Sequence, residues 1–261
     1  MTILDKILVE TRRTVQRDRR LVSELQLESL IRDLPPCKDF HAALAAGKQV
    51  QLIAEVKRAS PSAGLIRKDF EPTHIAACYE AGGAACISVL TDEPFFQGSL
   101  DFLRAVRKTV DLPLLRKDFI VDRYQLLQAR EAGADCVLLI AECLSSDELK
   151  ELTDQANALG LQTLTELYDP ENLGKVLATS TRLVGVNNRN LKTFETSLEH
   201  TLSLRPSIPP DRLLVGESGI RTHEDVRHLG SGGVKAVLVG ESLMRQDDIV
   251  EATRNLLGET N

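Results

Sequence analysis

Ile53-Ala54-Glu55-Val56-Lys57-Arg58-Ala59-Ser60-Pro61-Ser62 is a buried strand running out into charge. The apolar run Val50 to Val56 predicts a strand, and Glu55 and Lys57, two residues apart, point to one face of it. Opposite charges on the inward face of a strand are costly unless they are paired or put to use. Taken alone, the segment reads equally well as a plain ion pair at a strand end.

Other strands of the chain end in the same way. Leu114-Leu115-Arg116-Lys117-Asp118-Phe119 places a lysine after a short apolar run, and Leu161 to Leu167 carries Glu166. Leu183 to Asn190 reads Leu-Val-Gly-Val-Asn-Asn-Arg-Asn, and Leu213 to Ile220 reads Leu-Leu-Val-Gly-Glu-Ser-Gly-Ile. Candidate strands begin near residues 50, 85, 112, 135, 161, 182, 212 and 234, a spacing that fits one strand, one helix and two turns per unit. Eight such units close best as a (β/α)8 TIM barrel, in which the carboxyl ends of the strands share one mouth. Glu55, Lys57, Lys117, Glu166, Asn187, Arg189, Glu217 and Ser218 then become neighbours.

Turn chemistry supports the repeat. Glu80-Ala81-Gly82-Gly83-Ala84 and Glu131-Ala132-Gly133-Ala134 put glycine after a helical pattern and before an apolar strand, so Gly82 and Gly133 are expected in left-handed backbone. Gly160 and the run Gly230-Ser231-Gly232-Gly233 serve the same purpose later. Residues 1–48 form an N-terminal helical extension and residues 49–261 the barrel, one domain in all. Within the extension, Met1 to Arg20 predicts a helix with Ile3, Leu4, Ile7, Leu8 and Thr11 on one face. Its arginines (Arg12, Arg13, Arg17, Arg19, Arg20) are interrupted by Asp5, Glu10 and Asp18, which reads as a solvated face and not as a transit peptide.

Composition narrows the function. The 261 residues are 43% apolar without tryptophan, so the core is aliphatic, as in a parallel sheet covered on both faces. With 32 basic and 38 acidic residues well mixed and a net charge of −6, a nucleic-acid-binding surface is not expected. No run approaches the roughly 20 apolar residues of a membrane span, and no signal peptide is expected. The five cysteines (Cys37, Cys78, Cys86, Cys136, Cys143) lack metal-binding spacing, and Cys86 and Cys136 fall inside apolar strands, which suits core packing in a cytoplasmic protein. The scattered histidines and the absence of a dinucleotide or P-loop motif give no reason to invoke a metal or a cofactor.

The last two units carry Gly216-Glu217-Ser218-Gly219 and Gly240-Glu241-Ser242. Glycine at these points lets backbone N–H groups approach a ligand, and barrels often bind phosphate there, beside a short helix. A phosphorylated small molecule is the expected substrate. The segment Ser60 to Pro72 is long for a loop between strand and helix and reads as a mobile lid.

The series Ile53 to Ser62, Ser88 to Asp92, Phe95 to Leu100, Leu115 to Phe119, Val186-Asn187-Asn188-Arg189-Asn190-Leu191 and Gly216 to Ile220 resembles the indole-3-glycerol-phosphate synthases, over essentially the whole chain. That family closes the ring of 1-(2-carboxyphenylamino)-1-deoxyribulose 5-phosphate, with loss of carbon dioxide and water, in tryptophan biosynthesis. The resemblance implies Lys117 as the acid on the ribulose carbonyl oxygen and Glu166 as the base for the aniline proton. It also implies Lys57 and Glu55 in proton traffic and substrate holding, and Asn187, Glu217 and Ser218 in orienting hydroxyls. Either Lys117 or Lys57 would protonate the departing hydroxyl. Gly219, Gly240 and Glu241 match phosphate-site positions, with the Glu241 side chain turned elsewhere. Ser60 and Arg189 match contacts near the carboxylate, and Phe119 packs on the aromatic ring. Many members of that family carry lysine where this chain has Ala63, so no loop cation is implied there. The chain ends about 20 residues after the eighth strand, which is expected to leave no room for a fused second barrel and so implies a monofunctional enzyme.

Two alternatives remain at this level. One is a Schiff-base lyase, with Lys117 a nucleophile whose pKa is lowered by Lys57 or Arg116. The other is a barrel that binds phosphorylated metabolites without chemistry, although such a binder has no need of an acid–base set.

Overall fold

The computed structural model describes residues 2–190, 193 and 195–259; Met1 of the predicted helix and Leu191 of the family-like series lie outside the described residues. Eight parallel strands close a barrel: β1 (Gln51–Val56), β2 (Cys86–Leu90), β3 (Leu114–Lys117), β4 (Cys136–Ile140), β5 (Gln162–Leu167), β6 (Leu183–Asn187), β7 (Leu213–Glu217) and β8 (Ala236–Val239). Each pairs with the next in sequence and β8 with β1, from Gln51 opposite Ala236 to Ala54 opposite Val239. The predicted strand starts fall within two residues of the observed ones. Nearly every strand residue is buried, because helices cover the outer face and side chains fill the inner one.

Capping fixes where the helices begin. Asp122 accepts from the Tyr124 N–H, while Ser145 with Glu148 and Thr222 with Asp225 form capping boxes ahead of helices Ser146–Ala158 and His223–Ser231. Gly133 has the expected left-handed φ of 90°, but in the Gly82-Gly83 pair the left-handed residue is Gly83, at 91°. Gly82 keeps helical backbone at φ −82° and is glycine for room: a Cβ there would lie 2.5 Å from Thr253 Cβ.

The extension runs the length of the barrel. Helix α1 (Ile3–Leu21) buries Ile7, Thr11 and Val15, while Ile3 and Leu4 on the same face reach the barrel mouth. Helix α2 (Glu24–Ile31) lies on helix Arg123–Glu131, with Leu27 against Tyr124, Arg123 paired to Glu28 at 2.8 Å and Arg19 of α1 to Asp122 at 2.7 Å. Arg12, Arg13, Arg17 and Arg20 are exposed, as a solvated face requires. Helix α3 (Phe40–Ala45) closes the opposite end, where Phe40 and Leu44 join the cluster inside the barrel with Ile53, Leu115, Leu164 and Val215. Full burial of side chains of this size is worth roughly 1.5–3 kcal/mol each. Cys86 and Cys136 belong to that same cluster.

The stretch after β1 differs from the open loop that its length suggests. Ala59–Ser60 pairs antiparallel with Gly64–Leu65, and Arg67 donates to the carbonyls of Met244 and Gln246 at 3.2 and 2.8 Å. The segment is therefore a small hairpin fastened at its far end to the loop following β8.

Candidate active site

The strand ends meet around a cavity of about 540 Å³ at the carboxyl mouth of the barrel. Lys117, the last residue of β3, donates to Glu166 Oε2 of β5 at 3.0 Å and to Glu217 Oε2 of β7 at 2.7 Å. Asn187 ends β6 and donates to the other oxygen of Glu166 at 3.1 Å, while its own carbonyl oxygen accepts from the Arg189 N–H at 3.0 Å. Glu55 of β1 pairs with Lys57 at 2.5 Å, so the two charges that opened the sequence reading do form an ion pair, and they form it inside the cavity.

The chemistry of this cluster follows from its burial. Desolvation alone would lower the Lys117 pKa, but the charges of Glu166, Glu217 and Glu55 outweigh it and hold the ammonium above the ordinary lysine range. Burial pushes Glu217 up to about 8; Lys117 opposes this and the Glu166 charge reinforces it. Burial also pushes Glu166 up, yet Lys117 and hydrogen bonds from Glu217, Lys117 and Asn187 bring it below the usual carboxylate range. The opposed shifts make Glu217 the more readily protonated of the two carboxyl groups and Glu166 the more readily ionised, beside a charged lysine. Two carboxyl groups with opposed environments are the arrangement that separates an acid from a base.

The rim carries the other predicted residues. Ser218 and Gly219 have consecutive left-handed backbone, at φ 65° and 79°. Ser242 donates to the Ile220 carbonyl at 3.0 Å and so ties the loops after β7 and β8 together. Gly240 lies against Glu55, whose Oε1 would be 2.5 Å from any Cβ there. The Glu241 carboxylate pairs with Arg245, at 2.9 Å, and lies 3.8 Å from Arg189, while Gly240, Glu241 and Ser242 at the start of the short helix Glu241–Met244 line the cavity. Burial raises the Glu241 pKa, but the Arg245 hydrogen bond and the charges of Arg245, Lys57 and Arg189 hold it below the usual range. On the lid, Ser60 Oγ accepts from the Ala63 N–H at 3.2 Å and Arg189 donates to Ser62 Oγ at 2.6 Å. Ala63 thus contributes backbone to the lid turn and no charge.

One wall is apolar. Phe119 and Phe96 lie with ring centroids 6.1 Å apart, beside Leu138, Ile140, Leu238 and the α1 residues Ile3, Leu4 and Ile7. The contribution of α1 is not visible in sequence, since an amphipathic helix pattern does not tell which surface it covers. Beneath the cavity, Arg116 faces outward from β3 and bonds Asp118 at 3.0 Å, Thr91 at 3.1 Å and the Gln125 carbonyl at 2.7 Å. Asp118 Oδ1 accepts from the Phe119 N–H at 2.8 Å. This buried network holds the backbone on both sides of Lys117.

A model of the indole-3-glycerol phosphate synthase family matches residues 4–256. The chain belongs to the indole-3-glycerol phosphate synthase family. It is 69% identical over 257 residues to the indole-3-glycerol phosphate synthase of Rhodopirellula baltica, covering 98% of this chain and 99% of that one. The enzyme of that name from Azospirillum brasilense is 46% identical over 98% of each chain. Among solved structures, a 3-hexulose-6-phosphate synthase superposes with a TM-score of 0.65 at 15% identity, over 81% of this chain and all of that one. The tryptophan synthase α-subunit of Pyrococcus furiosus superposes with a TM-score of 0.61 at 18% identity, over 80% and 98%. At such identities these two similarities show the barrel fold alone. As an indole-3-glycerol phosphate synthase, the protein is a decarboxylating lyase of tryptophan biosynthesis (EC 4.1.1.48) that acts on a small phosphorylated substrate. The reading as a binder without chemistry is thereby set aside. No helix among the described residues is long and apolar enough to cross a membrane.

Proposed function

We propose that indole-3-glycerol phosphate synthase activity is carried here by Lys117 as proton donor, recharged by Glu217, with Glu166 as base. The observation that carries this reading is the Lys117 ammonium held between Glu166 and Glu217. Ring closure places negative charge on the ribulose carbonyl oxygen, and a desolvated ammonium at that oxygen stabilises and protonates it. Loss of the carboxylate as carbon dioxide restores the aromatic ring. Dehydration then needs a second proton on the same oxygen, and neutral Glu217, 2.7 Å from Lys117 Nζ, passes one through the lysine. Glu166, held in position by Asn187, takes the aniline N–H proton as the hydroxyl leaves, and the nitrogen regains a proton as one is lost from the ribulose C1 methylene, which sets the indole double bond. Two protons are given and one is taken back, a net uptake of one, which matches a carboxylate leaving as neutral carbon dioxide. The departing hydroxyl is thus protonated by Lys117, and Lys57, paired to Glu55, holds the substrate as a counter-charge.

The phosphate lies at the backbone of Gly219, Gly240 and Glu241, with Ser218 orienting neighbouring hydroxyls. The benzoate end lies toward Ser60 and Arg189, its ring on Phe119 and beside Leu4. Supporting this assignment, glycine-rich loops and a short helix occupy one side of the cavity and the apolar wall the other. Leu4→Ala is expected to raise KM about three- to tenfold with kcat nearly unchanged, because packing on the ring is lost equally from ground and transition states. Steady-state indole fluorescence reads both constants.

A Schiff-base role for Lys117 is disfavoured by the same geometry. Arg116 pairs with Asp118, and the acidic groups around Lys117, Glu166 foremost, raise its pKa where a nucleophile needs it lowered.

The neutral Glu217 gives a pH prediction. Its carboxyl is protonated below about 8 and ionised above, so kcat/KM, which reports the free enzyme, falls as pH rises through that value. Glu217→Gln, which keeps a neutral amide there, is expected to lose this alkaline limb together with part of kcat. A limb that stays unchanged in the variant would remove Glu217 as its source.

We further propose that the extension and barrel fold as a single domain, since Phe40 and Leu44 complete the barrel's inner core. Work in the cytoplasm fits five free cysteines, and fractionation of cells producing the protein tests it. The activity itself is tested by adding the carboxyphenylamino-deoxyribulose phosphate and following indole fluorescence. Turnover is expected, and no indole from well-folded protein would overturn the reading.

A further inference from the structure

Gly185 stands in the middle of β6, where it is paired with Val215 of β7 and lies opposite Glu166 of β5. Glycine inside a strand weakens it and often marks a close approach by another group. A Cβ at this position would overlap Glu217 Oε1 and lie 3.4 Å from Glu217 Cδ and from Leu164 Cδ1. The Glu217 side chain, 2% exposed, therefore rests directly over the Gly185 Cα. Glu217 Oε1 has no donor of its own among the described residues, while Oε2 accepts from Lys117. A hydrogen bond between Glu166 and Glu217 contributes to the pKa shifts of both, and an orphaned Oε1 is the oxygen free to carry a proton.

We propose that Gly185 is a positioning residue for the reaction, acting through the side chain it lacks: the space over its Cα seats the Glu217 carboxylate beside Glu166, so that Lys117 is held from both sides. The inference rests on the roles assigned above to Lys117, Glu166 and Glu217. Because the atoms that a new Cβ meets are the far end of a side chain, the carboxylate moves and the barrel stays. The groups facing Glu217 are Lys117 from β3, Glu166 from β5, Asn187 from β6 and the apolar Leu238 from β8, with Glu55 of β1 acting on the same lysine. Displacing Glu217 alters both the effect of the Lys117 charge, which lowers its pKa, and the Glu166 repulsion, which raises it. Its alkaline limb then moves from the wild-type position.

The test is a cycle of Gly185→Ala, Glu217→Ala and the double variant, read by kcat, KM, the pH profile and Tm. Gly185→Ala alone is expected to lower kcat about ten- to a hundredfold, as misplacement of a reacting group does, with KM within about threefold and the alkaline limb moved from its wild-type position. In the Glu217→Ala background nothing remains to be displaced, so adding Gly185→Ala is expected to change kcat by less than about twofold and leave Tm unchanged. Equal losses in both backgrounds, or a wild-type kcat and limb in Gly185→Ala, would overturn the inference alone. Wild-type activity in Glu217→Ala would remove the assigned roles and the inference together. If Gly185→Ala does not fold, recovery of folding in the double variant supports the seat and failure of both overturns it.

Discussion

Lys117→Ala is expected to lower kcat about a hundred- to ten-thousandfold, the range for a general acid, while the protein still folds and KM changes only a few-fold. The kinetic loss is large because both proposed donations pass through one nitrogen. Lys57 cannot replace it, since its ammonium is committed to Glu55 at 2.5 Å. Folding survives because removal of the ammonium leaves two carboxyl groups side by side, and burial, which pushes Glu217 up, lets that one take a proton and relieve the repulsion. Substrate affinity is kept because the glycine-rich loops at the rim, Arg189 and the apolar wall do not depend on the lysine. Indole fluorescence under saturating substrate measures kcat, and circular dichroism with a thermal scan checks the fold. Activity within about tenfold of wild type would remove Lys117 as the acid.

Asp118→Ala is expected to be the most destabilising of these changes, by about 3–5 kcal/mol, the usual cost of breaking a buried ion pair from one side. Arg116 and Asp118 are 3% and 7% exposed, so the guanidinium stranded by the substitution has no water to turn to. It would keep the Thr91 hydroxyl and the Gln125 carbonyl, neither of which carries charge. For a domain of this size the loss corresponds to a fall in Tm of about 10 °C. Asp118→Asn, which keeps an acceptor for Arg116 and for the Phe119 N–H, should lose less of both Tm and activity. Because Asp118 also fixes the backbone between Lys117 and Phe119, kcat should fall in the alanine variant even below its melting range. A Tm within about 2 °C of wild type would show that the network contributes little to stability.

Much of this molecule is legible in its residues, for reasons that differ from part to part. The strands are readable because a parallel barrel buries both faces, which turns each strand into a short apolar run, and because a charge at the end of such a run is conspicuous. Glu55, Lys117, Glu166, Asn187 and Glu217 were found that way. Topology then supplies what the sequence distance hides, since Lys117 and Glu217 are 100 residues apart and 2.7 Å from each other. The left-handed glycine falls at Gly83 and not at Gly82, because either member of a glycine pair can end a helix, while Gly82 is needed for room beside Thr253. A charge facing outward is harder to read: in sequence Arg116 can act as a cation beside Lys117, yet it is sealed under helix Arg123–Glu131. Gly185 does leave a signal, a glycine inside a strand, where a missing side chain is as specific as a present one. The covering of the mouth by Ile3 and Leu4 left none, because an apolar stripe records that a helix is covered and not by what.

The most direct measurement is the protonation state of the Lys117 side chain, followed by 15N NMR of the protein labelled at lysine Nζ, with Lys117→Arg used to assign the resonance. The account predicts that the Nζ remains an ammonium throughout the pH range in which the enzyme is active, because Glu166 and Glu217 hold its proton in place. A lysine that titrates to the free amine at or below neutral pH would contradict it, and would return Lys117 to the role of a nucleophile.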